Sequence, residues 1–303
     1  MDRRQFLTGL AGMAAVLPAE LRGRRALGAA PGTPPSARVR VGCCTNQFAT
    51  QADLTGVESI QTLKRVGFDY IELPLAPLMS LAASGFESFE SRIKAAGIPC
   101  DACGNFLPSS VRMAGPGVEP QRIADYVEPA LKRAARLGAK VVVCGSPGSR
   151  NLPPGFPVEK AWEQMVGFLQ SVDRLAGADG IIIAVEAINR GECNFLNLAA
   201  DSLRLAKQVD RPNVKVVVDY YHLALEKESP DVILAGADYI QHIHVARGEG
   251  RAFPRRSDPD GYKLFFSNLK QIHYNHRVSL EARTSDLQKD GAESLALLRG
   301  LLA

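Results

Sequence analysis

Eight short, strongly apolar runs alternate along the chain with longer segments of helical periodicity. Each run is bounded by turn residues, and the run centres lie roughly 25–42 residues apart, which is the length of a βα unit. Near-continuous hydrophobicity is typical of parallel strands that are covered on both faces. The predicted strands are Val39–Cys44, Tyr70–Leu75, Pro99–Cys103, Ala139–Cys144, Ile181–Glu186, Val214–Asp219, Tyr239–Val245 and Val278–Ala282.

The segments between these runs repeat apolar residues with a period of 3.6, which indicates helices. Gly67, Gly97, Gly138 and Gly180 follow four of them, where a glycine commonly ends a helix. Eight strands alternating with helices predict an α/β fold, a (β/α)₈ TIM barrel, as a single domain over residues 39–303. A doubly wound open sheet is the alternative, but no G-x-G-x-x-G follows an early strand. The predicted helices are Val57–Val66, Phe86–Ala96, Pro120–Leu137, Val158–Ala178, Ala199–Val209, Gly261–Tyr274 and Ala292–Leu302.

The first thirty residues differ in character from the rest of the chain. Residues 3–7 (RRQFL) resemble a twin-arginine export signal, and the apolar stretch after them is too short to span a bilayer. We therefore expect a signal peptide over residues 1–30 and a Pro-rich linker over residues 31–38. The mature protein is then periplasmic or otherwise exported, and it does not stay inserted in the membrane. A disordered basic leader is the alternative interpretation.

The charge of the predicted barrel argues against nucleic acid as a partner. Residues 1–30 contribute +3 to the formal net charge of +4, so the remainder of the chain is nearly neutral. Binding to a phosphate backbone needs a basic surface, which this composition does not supply.

The six cysteines lie mostly within or at the ends of apolar runs, where buried thiols are common. Cys100 and Cys103 form a C-x-x-C, but a spacing of three along a strand predicts side chains on opposite faces. No second C-x-x-C completes a zinc site. We interpret all six as mostly structural thiols: Cys43, Cys44, Cys100, Cys103, Cys144 and Cys193.

Ionisable residues stand near the C-terminal ends of five predicted strands, where barrel enzymes have their active sites. Such groups are costly to desolvate unless they are paired. A buried ion pair explains any one of them, but those of strands five to eight converge and would repel one another without a divalent cation. The oxygen-rich set favours Mn²⁺ first, then Co²⁺ or Mg²⁺, with Zn²⁺ or Fe²⁺ as further alternatives. The five residues are Glu72, Glu186, Asp219, His244 and Glu281.

Three segments resemble the signature of the xylose isomerase-like barrels, and Glu281, near the C-terminus, completes it. The segments are Val185–Glu192, Asp219–His222 and His242–His244. Within that superfamily they are most similar to the ketose 3-epimerases, such as the tagatose and psicose 3-epimerases. The resemblance spans the predicted barrel, and its specific motifs lie in the last 120 residues or so.

The resemblance implies a role for each matching residue. Glu192 and His222 correspond to residues that contact the sugar. An arginine normally follows the metal-binding histidine by six residues, but Gly250 holds that position here. Arg251 is therefore the expected substitute for this sugar contact, with Arg247 as the other nearby arginine. The implied metal ligands are Glu186, Asp219, His244 and Glu281.

The aromatic residues and the histidines limit which members of the superfamily this chain can resemble. Trp162 lies in a predicted helix, so one of Phe48, Phe106 or Phe156 would have to supply the aromatic platform of the family. No histidine precedes His222, and this argues against the three-zinc cluster of the endonuclease-IV-like members and against true xylose isomerases. His242 is predicted to be core or to support the site, one layer below His244. The remaining two, His273 and His276, are predicted at the opposite, solvated rim.

The implied activity is sugar epimerisation or isomerisation through an enediolate. A metal that binds a sugar carbonyl and its neighbouring hydroxyl acidifies the C–H between them. Glu186 and Glu281 are the predicted catalytic pair that moves the proton. Export favours an unphosphorylated sugar or sugar derivative. A metal-dependent lyase or dehydratase on a keto-sugar or keto-glycoside and a non-catalytic sugar-binding barrel are the alternatives, and a homo-oligomer is possible.

Overall fold

Each strand of the sheet pairs in parallel with the next strand of the chain, and the last pairs with the first, so the sheet is a closed barrel. This computed structural model describes residues 38–258 and 261–303. The predicted signal peptide (1–30) and all of the linker (31–38) except Arg38 lie outside the described residues. The strands are β1 (Arg40–Cys44), β2 (Tyr70–Pro74), β3 (Cys100–Gly104), β4 (Val141–Cys144), β5 (Ile182–Glu186), β6 (Val214–Asp219), β7 (Ile240–Val245) and β8 (Arg277–Leu280).

The longer helices follow the predicted ones and cover the outside of the barrel. Gly67, Gly97 and Gly138 end their helices with a left-handed backbone, as predicted, while Gly180 takes this conformation one residue after the cap Asp179. The helices are α1 (Ile60–Val66), α2 (Leu75–Met79), α3 (Ala83–Ala96), α4 (Pro120–Leu137), α5 (Pro147–Arg150), α6 (Val158–Ala178), α7 (Ala199–Val209), α8 (Tyr220–Glu226), α9 (Val232–Ala235), α10 (Gly261–Gln271) and α11 (Leu287–Leu302), with 3₁₀ turns at Thr45–Phe48 and Val57–Ser59. No helix of the described ranges is long and apolar enough to cross a membrane.

Four short helices of the described residues, α2, α5, α8 and α9, were not predicted, because they are too short to show a hydrophobic period. Three of them, α2, α5 and α8, begin at or within a few residues of the C-terminal end of a strand, at the mouth of the barrel. The start of α8 is fixed by Asp219, whose carboxylate accepts a hydrogen bond from the backbone N–H of Tyr221 at 2.8 Å. Such a cap satisfies a backbone donor that has no partner within the helix.

A bulge in β3 overturns the expectation for the C-x-x-C. The pairing of β2 with β3 advances from Ile71 opposite Cys100 to Glu72 opposite Ala102, so Asp101 is an extra residue in the strand. Both thiols therefore lie on the outer face of the barrel, in the core beneath the helices, and they contact each other. All six cysteines are buried and free, in agreement with their interpretation as structural thiols.

The barrel interior is layered from a charged base to a polar mouth. At the base, the guanidinium groups of Arg40 and Arg277 both contact the carboxylate of Asp101. Above the base, the barrel interior is filled by the apolar side chains of Tyr70, Ala102, Val141, Val143, Ala184 and Val217. The polar mouth lies at the opposite end from the base, where the strands end.

We predict that Gly42→Ala destabilises the fold by about 1–3 kcal/mol, because overpacking a dense core forces its neighbours to shift. A Cβ atom at this position would lie 2.4 Å from ring atoms of Tyr70. Gly167→Ala is the matched control, since Gly167 is an exposed residue within α6 and a Cβ there meets nothing within 4 Å. Thermal unfolding should show a lower Tm for the first variant and an equal or higher Tm for the second. An equal Tm for Gly42→Ala and the unmodified protein would contradict the packing.

Candidate metal centre

Four acidic and imidazole side chains converge at the mouth of the barrel. Glu186 and Asp219 are the last residues of β5 and β6, His244 is the next to last of β7, and Glu281 directly follows β8. Because the strands are parallel, these ends meet at one rim of the barrel. One candidate ligand atom from each of the four residues lies within 4.8 Å of the others. The structure thus brings together the four residues that the sequence predicts as metal ligands.

The geometry of this cluster suits a divalent cation. The Nδ1 atom of His244 lies 2.8 Å from Glu186 Oε1 and 3.2 Å from Glu281 Oε2. Asp219 Oδ2 is buried and has no hydrogen-bond partner among the described residues. A buried oxygen without a partner is costly, and coordination of a cation removes that cost. Three carboxylates and one imidazole form an oxygen-rich set of the kind that binds Mn²⁺, Mg²⁺ or Co²⁺.

The electrostatics of the cluster reflect three buried acids around one imidazole. Burial raises the pKa of Asp219, and His222 and Arg251 only partly offset this rise. Burial lowers the pKa of His244, but the surrounding acids, Glu72 first, outweigh it and hold that pKa well above its ordinary value. For Glu281 the effect of burial is outweighed by Arg251 and His244, so its pKa is lowered. Positive charge therefore stabilises this group of acids, and protons and a metal ion compete for the same position.

Arg251 supplies one positive charge at the edge of the cluster. Its guanidinium lies 2.6 Å from Glu281 Oε2, 3.8 Å from Asp219 Oδ2 and 3.3 Å from Glu192 Oε2. The guanidinium also stacks over the ring of Tyr221 at 4.6 Å. Arg247 instead pairs with Asp258 and Glu249. Of the two arginines considered from the sequence, only Arg251 reaches the cluster.

The other two predicted sugar contacts, Glu192 and His222, are joined through Asn189. The side-chain amide of Asn189 donates to Glu192 Oε1 at 3.0 Å and to His222 Nδ1 at 2.8 Å, and its backbone N–H also points to His222 Nδ1 at 3.3 Å. A backbone N–H can only donate, so His222 carries its proton on Nε2. That buried Nε2–H has no hydrogen-bond partner among the described residues and lies 3.5 Å from Asp219 Oδ2. It is a free donor beside the cluster.

Residues from the first half of the chain complete the site, and sequence reasoning gave them no role. The amide groups of Asn46 and Gln47 donate to Glu281 Oε1 at 3.2 and 3.3 Å. Gly145 leaves room for Glu186, because a Cβ there would lie 2.4 Å from Glu186 Oε2. Their positions alone could have indicated this role, because Asn46 and Gln47 follow β1 and Gly145 follows β4, at the rim where barrel enzymes have their active sites.

The cluster opens into a small cavity of about 180 Å³. Phe48, Phe106 and Phe156, the three candidates for the aromatic platform, do not line this cavity. Trp162 lies on α6 under the guanidinium of Arg204. The lining comprises Asn46, Gln47, Gly104, Asn105, Val143, Gly145, Ser146, Pro147, Glu186, Ile188, Glu192, His222, His244, Arg251 and Glu281.

The three remaining histidines do not line the cavity. His242 is fully buried one layer below His244, as predicted, and its Nε2 atom lies 2.9 Å from Glu72 Oε2. His273 is exposed, as predicted, and His276 is partly exposed beside the ring of Tyr274.

Comparisons with known proteins agree with this architecture. Residues 60–301 match the model of the family described as xylose isomerase-like TIM barrel. A 3-dehydro-D-guloside 4-epimerase of Escherichia coli (strain K12) is 24% identical over 80% of this chain and 94% of its own length. An L-ribulose 3-epimerase of Methylomonas sp. (strain DH-1) is 26% identical over 76% of this chain and 79% of its own length.

A solved structure shares the fold over nearly its whole length. The D-psicose 3-epimerase from Clostridium cellulolyticum H10 superimposes with a TM-score of 0.75 at 20% identity, covering 87% of this chain and 99% of that one. The chain belongs to the xylose isomerase-like TIM-barrel family and is an enzyme of the isomerase and epimerase class.

Proposed function

We propose that the enzyme is a divalent-metal-dependent sugar epimerase or isomerase that acts through an enediolate. The observation that carries the proposal is the convergence of the buried Glu186 carboxylate and the Glu281 carboxylate on His244 Nδ1, at 2.8 and 3.2 Å. Similar proteins named as epimerases of 3-dehydro-D-guloside, L-ribulose and D-psicose support a sugar as the substrate.

Glu186, Asp219, His244 and Glu281 would hold the metal ion. Bound there, the ion supplies Lewis acidity toward a sugar carbonyl and the hydroxyl next to it. Mn²⁺ is the ion that we expect first, with Co²⁺, Mg²⁺, Zn²⁺ or Fe²⁺ as alternatives.

The protein's own part is to remove a proton from one face of a sugar carbon and to return a proton to the other face. One of Glu186 and Glu281 removes the proton, and the other returns a proton to the opposite face. The amides of Asn46 and Gln47 hold Glu281 Oε1, and Gly145 gives Glu186 Oε2 its space. Glu281 is therefore held in a fixed orientation before substrate binds, which is what efficient proton transfer requires.

The lining of the cavity favours an unphosphorylated sugar or sugar derivative. Arg251 is the only cationic side chain other than the imidazoles among the described lining residues, and it already contacts Glu281 and Glu192. A phosphate would need cationic donors that are not engaged. The Asn105 amide, the unpartnered Oδ1 of Asn46 and the Nε2–H of His222 instead suit hydroxyl groups. The predicted export of the protein points to the same class.

Single replacements of the two glutamates test the proton transfer. We predict that Glu186→Gln and Glu281→Gln each lower epimerisation of free ketoses or keto-glycosides by about 10²–10⁴-fold, the usual contribution of a general acid or base. With metal bound, each variant should still exchange with D₂O the hydrogen of the one epimer in which that hydrogen faces the remaining glutamate, so the two variants should label opposite epimers. NMR of recovered substrate measures the deuterium, and chiral chromatography measures the epimer.

Asp219→Asn is the matched control for this experiment, because it removes a candidate ligand without removing a proposed base. It should lose deuterium exchange and epimerisation together, and excess metal should restore both in part. Epimerisation by the unmodified protein without deuterium incorporation would contradict the enediolate. An unsaturated product would identify a lyase instead, and binding without either reaction would identify a sugar-binding barrel.

We further predict that metal binding weakens as the pH falls. Protonated His244 has no lone pair on Nδ1, and its pKa is raised because Glu72 and Glu186 outweigh the effect of burial. Binding must therefore expel a proton, and the apparent Kd should rise by up to about tenfold for each pH unit below the pKa. Calorimetric titration of Mn²⁺ in buffers of different ionisation enthalpy measures both the Kd and the protons released. A pH-independent Kd with no proton release would contradict this assignment of the ligands.

A further inference from the structure

We infer that Glu72 is a positioning residue that holds His244 in the orientation and tautomer needed to present Nδ1 to the metal ion. This inference rests on the metal site of the proposed function. Glu72 lies on β2, across the barrel interior from β7, and is only 2% exposed. It does not line the cavity, so it acts through His244 and not on a substrate.

The two nitrogen atoms of His244 point to different groups of acids. Nδ1 faces Glu186 and Glu281, whereas Nε2 lies 3.1 and 3.2 Å from the two carboxylate oxygens of Glu72. A carboxylate can only accept a hydrogen bond, so it keeps the proton of the ring on Nε2. The lone pair of Nδ1 is then directed at the candidate metal site, and the buried anion makes that nitrogen a stronger ligand.

The position of Glu72 is itself fixed by contacts on its other side. The Nε2 atom of His242 and the hydroxyl group of Ser279 lie 2.9 and 2.7 Å from Glu72 Oε2. The hydroxyl group of Tyr70 lies 2.8 Å from Ser279 Oγ, which continues the network down into the apolar layer. Gly104 leaves room for Glu72 Oε1, since a Cβ there would lie 3.0 Å from it. The carboxylate therefore cannot turn away from His244 without breaking several hydrogen bonds.

Glu72 is surrounded by donors, as an acceptor-only carboxylate requires. Its two oxygens face Nε2 of His244, Nε2 of His242 and the hydroxyl group of Ser279. Glu72 is therefore the carboxylate on the Nε2 side of His244.

The test compares Glu72→Gln with Ser279→Ala in metal-stripped protein. Glutamine keeps the shape and one acceptor oxygen but removes the charge, whereas Ser279→Ala removes a donor to Glu72 that does not touch His244. We expect Glu72→Gln to weaken Mn²⁺ binding by about 10–100-fold in calorimetric titration. The Kd of Ser279→Ala should stay within about threefold of the unmodified protein, because Glu72 still contacts His244. For Glu72→Gln, the Tm without metal should stay unchanged or rise, and most of kcat should return at saturating Mn²⁺.

The outcomes separate this inference from the proposal on which it rests. If the unmodified protein binds no metal ion, the metal site of the proposed function fails. If the unmodified protein binds and Glu72→Gln binds equally well, the role of Glu72 is overturned and the metal site stands. A lower Tm for metal-free Glu72→Gln with an unchanged Kd would show that the carboxylate serves only the fold.

A measurement on the unmodified protein covers the case in which the variant does not fold. Nitrogen-15 NMR of the histidine rings, with diamagnetic Zn²⁺ or Mg²⁺ bound, reports which nitrogen of His244 carries the proton. A protonated Nε2 with the metal on Nδ1 is the expected result. A protonated Nδ1, or a metal on Nε2, would overturn the inference.

Discussion

Mutual repulsion among buried carboxylates is the constraint around which the mouth of this barrel is organised. Glu186, Asp219 and Glu281 approach one another within 4.8 Å, and Glu72 lies directly below, against His244. Two like charges about 4 Å apart repel by about 4 kcal/mol at an effective dielectric constant of about 20. Arg251 neutralises only part of this charge, and a proton on His244 neutralises another part. A divalent cation at the point where the ligand atoms converge relieves the repulsion more completely than either.

The barrel makes this crowding possible because its strands cannot move apart. Every strand is hydrogen-bonded on both sides, and an apolar layer that includes Tyr70 and Val217 fills the interior below the mouth. The acids are thus held together by a scaffold whose stability comes from elsewhere in the core. The helix cap at Asp219 and the amides of Asn46 and Gln47 then fix the individual carboxylates. Preorganisation of this kind is what places a carboxylate where a proton must be taken or returned.

Much of this architecture could be predicted from the sequence, since apolar runs and helical periods report directly on burial. Every strand begins and ends within two residues of its predicted position. The four candidate ligands could be predicted because each is an ionisable residue at or near the end of an apolar run, and such a run marks a buried strand. Their roles as ligands and catalytic groups, and those of Glu192, His222 and Arg251 toward a sugar, stay predictions.

The features that sequence reasoning missed depend on contacts between distant segments. Glu72 was predicted near a strand end but is the central residue of β2, and its contact with His244 spans 172 positions of the chain. The bulge at Asp101, which brings Cys100 and Cys103 to one face, leaves no mark on hydrophobic periodicity. Asn46 and Gln47 lie in a 3₁₀ turn that is too short to produce a pattern. The aromatic platform was expected by analogy with the family, and the cavity lining is polar instead.

Metal content tests directly whether Glu186, Asp219, His244 and Glu281 bind a divalent cation. The protein would be purified, soaked with excess Mn²⁺, desalted and analysed by elemental mass spectrometry, beside Glu281→Gln treated in the same way. We predict about one divalent ion for each chain of the unmodified protein, since the four ligands form a single site, and a clearly smaller content in the variant. No bound metal in either protein, after soaking with each of Mn²⁺, Co²⁺, Mg²⁺, Zn²⁺ and Fe²⁺, would contradict the metal site.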